Sequence, residues 1–195
     1  MAILKHFVLH YKEINILLSE NVLYNSKKTR RREEDYLMAK YYMNQKFSFK
    51  DQFTIKDEDQ NDAFIAEGKL FSIGKQIRIY TMQGEELLFI KQSLWKILSH
   101  YEFYIGDQLV SEMKQEFTFF KKSYSILNPN WRIEGDIWSV NYKILEGNQV
   151  IATIQKKIFS WTDAYEIDIV HEEDTELVLG LVIAIDADLA DDGSN

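Results

Sequence analysis

The sequence contains no cysteine, one proline and eight glycines in 195 residues. Without cysteine there is no disulfide, no thiolate metal site and no cysteine nucleophile, and nothing ties the chain to an oxidising compartment. So little proline and glycine, beside 46% hydrophobic and 14% aromatic residues, excludes the collagen-like and disordered classes. No apolar run approaches the roughly 20 residues that a membrane-spanning helix needs. Near the N-terminus the apolar residues Ile3, Leu4, Phe7 and Val8 are interrupted by His10, Lys12 and Glu13, and no small-residue cleavage site follows. They are not a secretory signal, and the expected location is cytoplasmic. The net charge of −8, from 31 acidic against 23 basic residues, disfavours nucleic acid as a partner and leaves only local basic patches for anionic lipid.

Catalytic and cofactor patterns are also missing. Gly68 to Gly74-Lys75-Gln76 has the wrong spacing for a phosphate-binding loop and lacks the following Ser or Thr, and no Gly-x-Ser-x-Gly elbow occurs. His6 and His10 have helical spacing without a third ligand, His100 precedes a strand, and His171 sits in an acidic turn. Asp57-Glu58-Asp59-Gln60-Asn61-Asp62 resembles half a calcium loop but has no Gly at its sixth position and no Glu at its twelfth, so it reads as a hairpin turn. The terminal Asp186, Asp188, Asp191 and Asp192 read as a solvated tail. No cofactor, no metal and no catalytic residue is expected.

What is present is organised. Residues 1–37 form an N-terminal extension that ends in a charged run, with Lys27, Lys28, Arg30, Arg31 and Arg32 followed by Glu33, Glu34 and Asp35. A basic cluster next to acidic residues reads as a solvated linker. The run also resembles a translated ribosome-binding site just ahead of Met38, which makes Met38 or Met43 an alternative start. From residue 38 the domain proper begins. Short alternating segments rich in Ile, Val, Tyr and Phe, such as Ile77-Arg78-Ile79-Tyr80, are separated by turn signals at Gln83-Gly84-Glu85, Gly106-Asp107-Gln108 and Glu146-Gly147-Asn148. This pattern predicts antiparallel hairpins in a sandwich or barrel.

The strand-rich body repeats itself. Glu67-Gly68-Lys69-Leu70-Phe71-Ser72 recurs as Glu134-Gly135-Asp136-Ile137-Trp138-Ser139, the Ile90–Trp95 stretch as Ile154–Phe159, Tyr101-Glu102-Phe103 as Tyr165-Glu166-Ile167, and Gln45-Lys46-Phe47-Ser48 as Gln115-Glu116-Phe117-Thr118. Four matches in one order imply two copies of a unit, about 45–110 and 115–175, closed into one barrel with an approximate two-fold relation. The apolar run Leu177–Ile185 has no polar stripe, as in a buried helix, although Val178, Val182, Ile183 and Ile185 also suit a strand. As a helix it would be capped by Asp174 or Thr175 and would end wet and frayed among its aspartates.

The Gln45–Ser48 and Phe53–Asp57 stretches, Glu67–Gly74, Glu116-Phe117-Thr118-Phe119-Phe120 and the ending Leu181–Asp186 resemble the bacterial branch of the LURP-one-related family, grouped with tubby C-terminal domains and phospholipid scramblases. The resemblance covers about residues 40–190. It implies a closed antiparallel β-barrel of about 12 strands around a central hydrophobic C-terminal α-helix, here about 175–188, with Leu177, Leu179, Leu181, Val182, Ile183 and Ile185 at its core. The phosphoinositide-binding basic motif of tubby domains does not align with this chain. The scramblases' acidic segment departs in position, because the aspartates here follow the apolar run. The expected function is therefore a non-catalytic binding module for a membrane lipid or a protein partner, with a scramblase-like, lipid-active protein as the alternative. The candidate contacts are Lys91, Trp95 and Lys96 in one connection between strands, and Lys121 and Lys122 beside Phe117, Phe119, Phe120 and Tyr124. Alternating aromatics of that last kind are expected to be core on one face of a strand.

Overall fold

A computed structural model describes residues 38–44, 52–69, 74–93, 98–118, 122–158 and 163–192. These belong to the second of two units into which the chain divides, Met38–Asn195. The N-terminal readings, including the Lys27–Arg32 cluster and the pair His6 and His10, lie outside the described residues.

Turn chemistry sets the strands. Asp57 Oδ1 accepts the Asn61 amide at 2.8 Å while Gln60 takes φ 65°, so the acidic run is a hairpin turn that Lys56 closes with a 2.7 Å ion pair to Asp62. Gly84, Gly106 and Gly147 hold positive φ in three further turns, where a side chain would be strained. The resulting elements are β1 (Ala39–Asn44), β2 (Gln52–Lys56), β3 (Asp62–Lys69), β4 (Gln76–Thr81), β5 (Glu86–Gln92) and β6 (His100–Ile105). They continue as β7 (Gln108–Glu116), β8 (Ser123–Leu127), β9 (Trp131–Asp136), β10 (Asn141–Glu146), β11 (Gln149–Ile158) and β12 (Asp163–Ile169). After a 3-10 turn at Glu172–Asp174 comes α1 (Thr175–Asp192).

Each strand pairs antiparallel with its neighbours in sequence, and β1 pairs with β12 from Ala39↔Ile169 to Asn44↔Ala164, which closes the barrel. Closing the sheet removes the exposed edges that an open one would carry. On the outer wall Glu166 of β12 lies 3.5 Å from Lys40 of β1 and 3.1 Å from Lys157 of β11, and receives the Tyr42 hydroxyl. Burial works to raise the Glu166 pKa, but these partners hold it below the usual carboxylate range. A start at Met43 would delete most of β1, including Lys40 and Tyr42 from this network.

The duplication has a spatial form. Glu67-Gly68 lies on β3 and Glu134-Gly135 on β9, Ile90 on β5 and Ile154 on β11, Tyr101 on β6 and Tyr165 on β12, each pair six strands apart in a ring of twelve. Half a turn about the barrel axis therefore relates the copies.

Period-two alternation sends Ile77 and Ile79, Leu88 and Ile90, Tyr101 and Phe103, and Ile167 and Ile169 inward. There they meet α1, whose Val178, Leu179, Leu181, Val182, Ile183, Ala184, Ile185 and Ala187 are buried all round. A helix without a polar stripe is stable only inside a core, which decides the helix-or-strand ambiguity of this run. Gly180 faces Leu88, and a Cβ there would collide with the Leu88 methyl.

Two details of the helix differ from expectation. Thr175 is already helical, and the turn before it starts at His171 without a side-chain cap, so neither Asp174 nor Thr175 supplies the cap. Glu172, Glu173 and Asp174 in that turn, with Glu176 in the first turn of the helix, instead offer negative charge to the positive end of the dipole. The C-terminal end extends past about residue 188, with Ala190 exposed. It runs to Asp192, and Asp188 is buried with its carboxylate paired.

Candidate binding rim

An up-and-down barrel sorts its connections by parity: those that follow odd strands leave from one rim, and those that follow even strands leave from the other. The even rim consists of 57–61, 82–85, 106–107, 128–130, 147–148 and the turn 170–174 that leads into α1. These connections hold eight carboxylates, Asp57, Glu58, Asp59, Glu85, Asp107, Glu172, Glu173 and Asp174, and no lysine or arginine of their own, although Lys56 of β2 and Arg132 of β9 donate to the Gln60 and Gly147 carbonyls of this rim. Burial pushes Asp174 up to about 6, and the Glu173 and Glu146 carboxylates push the same way against His171.

The connections after odd strands differ in composition: 45–51, 70–75, 93–99, 117–122, 137–140 and 159–162 hold seven of the twelve Phe, three of the four Trp, six Lys and one acidic residue, Asp51, most of them outside the described residues, while Glu116 and Asp136 end β7 and β9 at this rim. Two of these aromatic rings are defined and exposed, Phe117 at 75% and Trp138 at 57%. Asp136 Oδ1 accepts the amides of Trp138 at 3.0 Å and Ser139 at 3.3 Å, fixing the turn that presents the indole. Phe117 lies just past the end of β7 and is not core, contrary to the alternation reading; Tyr124, also in that reading, is buried.

Two lysines of this rim turn inward to the end of α1. Lys122 Nζ lies 2.7 Å from Asp188 Oδ2, with side chains 7% and 2% exposed, and the Tyr124 hydroxyl donates to the same oxygen at 2.6 Å. Lys75 Nζ donates to the Ala187 carbonyl. Two ammonium groups thus meet the negative end of the helix dipole, where positive charge is stabilising. Nearby, the Tyr165 hydroxyl donates to Asp186. Burial first and the Asp186 charge second push both the Tyr142 and Tyr165 phenols up.

Of the five sequence-derived candidates two are described, and they do not share one role. Lys91 is exposed near the end of β5. Lys122 is committed to Asp188 inside the barrel rather than to the surface. Trp95, Lys96 and Lys121 fall in the β5–β6 and β7–β8 connections and lie outside the described residues. Sequence reasoning passed over Trp138, although the alternation of acidic and aromatic connections along the chain was a signal that could have found it.

Among the described residues no group of His, Asp and Glu has the arrangement of a metal site, and no helix is long and apolar enough to cross a membrane.

Comparison with known proteins bears on this architecture. The sequence model of the LURP-one-related family matches residues 39–186. The uncharacterized protein YxjI of Bacillus subtilis is 36% identical over 156 residues, 80% of this chain and 96% of that protein. An X-ray structure of a protein from Arabidopsis thaliana is similar with a TM-score of 0.57 at 13% identity, over 77% of this chain and 90% of that one, a likeness of fold alone.

Proposed function

The chain belongs to the LURP-one-related family, and from that premise we propose that it is a binding module without a catalytic centre, engaging a lipid surface from the outside of its barrel. The observation that carries this reading is the filled interior. An open barrel of this size could enclose a small ligand, but here α1 occupies the axis, with Leu179, Leu181 and Ile183 fully buried against Ile77, Ile79, Leu88 and Phe103. Recognition is then a matter of the outer wall and the two rims. Exposed Phe117 and Trp138 at one rim, with Lys91 exposed near the end of β5, offer apolar rings and an ammonium group of the kind that suits a membrane interface.

The scramblase-like alternative requires α1 to leave the barrel. Lys75, Lys122 and Tyr124 bind its last turns from the wall, and its apolar faces would lose their cover, so the retained helix of a binding module is favoured.

Co-sedimentation of the whole chain with vesicles tests the reading. Pelleting with vesicles containing phosphatidylserine or a phosphoinositide, weakened by salt, is the expected result. No pelleting with any of these vesicles would overturn the lipid reading and leave a protein as the partner. Dithionite quenching in proteoliposomes would reveal scrambling activity if the alternative held.

A further inference from the structure

We infer that the barrel wall opens between β8 and β9, and that the free edge of β9 at this opening takes an extended peptide of another protein as an added strand. The inference goes beyond the lipid reading and does not depend on it.

The ladders carry the argument. β8 and β9 share two register pairs, Ser125↔Arg132 and Ile126↔Trp131, both close to the 128–130 connection. Beyond them β9 continues through Ile133, Glu134 and Gly135, which pair with Ile144, Lys143 and Tyr142 of β10 on one side and with no residue of β8 on the other. This stretch is therefore held as a strand while its second edge stays open. Main-chain N–H and C=O groups on such an edge are a template for a further strand.

The duplicated unit shows that the opening is not forced by the fold. Glu67-Gly68 of β3 corresponds to Glu134-Gly135 of β9, which sets β2 and β3 against β8 and β9. In the first copy the ladder runs over five pairs and includes Phe53↔Ala66 and Gln52↔Glu67. The counterparts in the second copy would be Tyr124 with Ile133 and Ser123 with Glu134, and neither pair forms. The glycines differ as well. Gly135 has φ 125°, unlike Gly68, and a Cβ on it would lie 2.5 Å from the Asn141 carbonyl oxygen and 2.7 Å from Tyr142 Cα. Its missing side chain seats the end of β9 tightly on β10, and β8 does not follow.

The edge itself specifies its occupant. Open ladder groups are satisfied by an extended backbone, which a lipid surface does not offer, and an added strand alternates its side chains between the two faces. On the inner face stands Ile133, half-buried and packed against the core, so an apolar side chain belongs there. On the outer face Glu134 is 70% exposed at its side chain, and water remains close.

Three measurements on the whole chain test this. In hydrogen exchange followed residue by residue, the β8-facing amides among Ile133, Glu134 and Gly135 should exchange at least about tenfold faster than the β2-facing amides among Ala66, Glu67 and Gly68. An eight-residue peptide alternating valine with lysine should shift and protect the former group, and the same peptide with an N-methylated backbone should bind about tenfold more weakly or worse, because main-chain bonds supply the affinity. The chain has no cysteine, so Ser123→Cys with Glu134→Cys allows one disulfide, which closes the opening. The oxidised form should lose the peptide and the reduced form regain it, while Gln52→Cys with Glu67→Cys, across the ladder that is already paired, should bind it in both states.

Equal exchange in the two copies, equal binding of the methylated peptide, binding that survives the Ser123–Glu134 disulfide, or no binding up to about 1 mM peptide overturns the inference. A dimer of the parent chain that this disulfide dissolves would give the edge to a second copy and overturn the peptide assignment. Vesicle pelleting should be the same with the disulfide open or closed, so the lipid reading stands or falls separately.

Discussion

Replacing Lys122 by Met removes one partner of an ion pair whose side chains are 7% and 2% exposed. An exposed pair would contribute about 0–1 kcal/mol, whereas breaking a buried one costs about 3–5 kcal/mol because a charge is left without its counter-ion. Asp188 keeps the Tyr124 hydroxyl at 2.6 Å after the change, which compensates it in part. The lower end of the range is therefore expected, about 3 kcal/mol. At about 2–4 °C per kcal/mol for a domain of this size, the melting temperature should fall by about 6–12 °C. Urea unfolding followed by tryptophan fluorescence and by circular dichroism would read the same loss as a lower midpoint at constant slope. Asp188→Asn keeps an acceptor for Tyr124 but leaves the Lys122 ammonium buried without its counter-ion, so a loss of the same order is expected. The double variant should fall short of the sum by about 1 kcal/mol or more, as residues in direct contact do. A Lys122→Met chain within about 1 kcal/mol of the parent, or strict additivity with Asp188→Asn, would show that the lysine is not committed to the helix.

Further outcomes are expected. Ile183→Asp buries a carboxylate at the barrel axis, where Ile183 has no exposure, and should prevent folding; a soluble chain with a cooperative melt would remove the central-helix account. Gly180→Val drives a branched side chain into Leu88, Ile90 and Phe103 and should cost about 1–3 kcal/mol in denaturant midpoints, and a neutral result would mean that the interface is loose. The folded-state pKa of Asp174, about 6, lies above its ordinary 3.8, so the native state binds the proton more readily and stability gains as pH falls from 7 toward 4. Asp174→Asn removes that contribution, and its melting temperature should depend less on pH over this window; parallel profiles for the two proteins would contradict the burial of this carboxylate.

Local patterns carried the hairpins, because turn residues and period-two alternation act over a few positions. Gly84, Gly106 and Gly147 all mark turns in the chain as they do in the barrel. The duplication was also legible, since copies kept Glu-Gly at β3 and β9 and Tyr at β6 and β12. The run Leu177–Ile185 was ambiguous by propensity, and only the barrel around it makes an all-apolar helix favourable. What local pattern could not show was pairing at long range. Asp188 after an apolar run looks like the start of a solvated tail, and Lys122 beside another lysine looks like a surface patch. Each turns inward because the other is there, 66 residues away along the chain. The contrast between the rims was written in the sequence but became readable only once strand order assigned each connection to an end.

The order of the strands has a bearing on how the molecule is made. Every wall segment leaves the ribosome before the element that fills the middle, and the last strand is also the one that must find the first. Until α1 has been synthesised, Ile77, Leu88, Phe103 and Ile167 have walls to belong to but no centre to pack against, so the nascent chain exposes its most apolar surface longest. Truncation after β12 would accordingly be expected to leave an aggregating chain rather than a smaller domain. In this architecture the segment made last decides whether all the earlier ones hold.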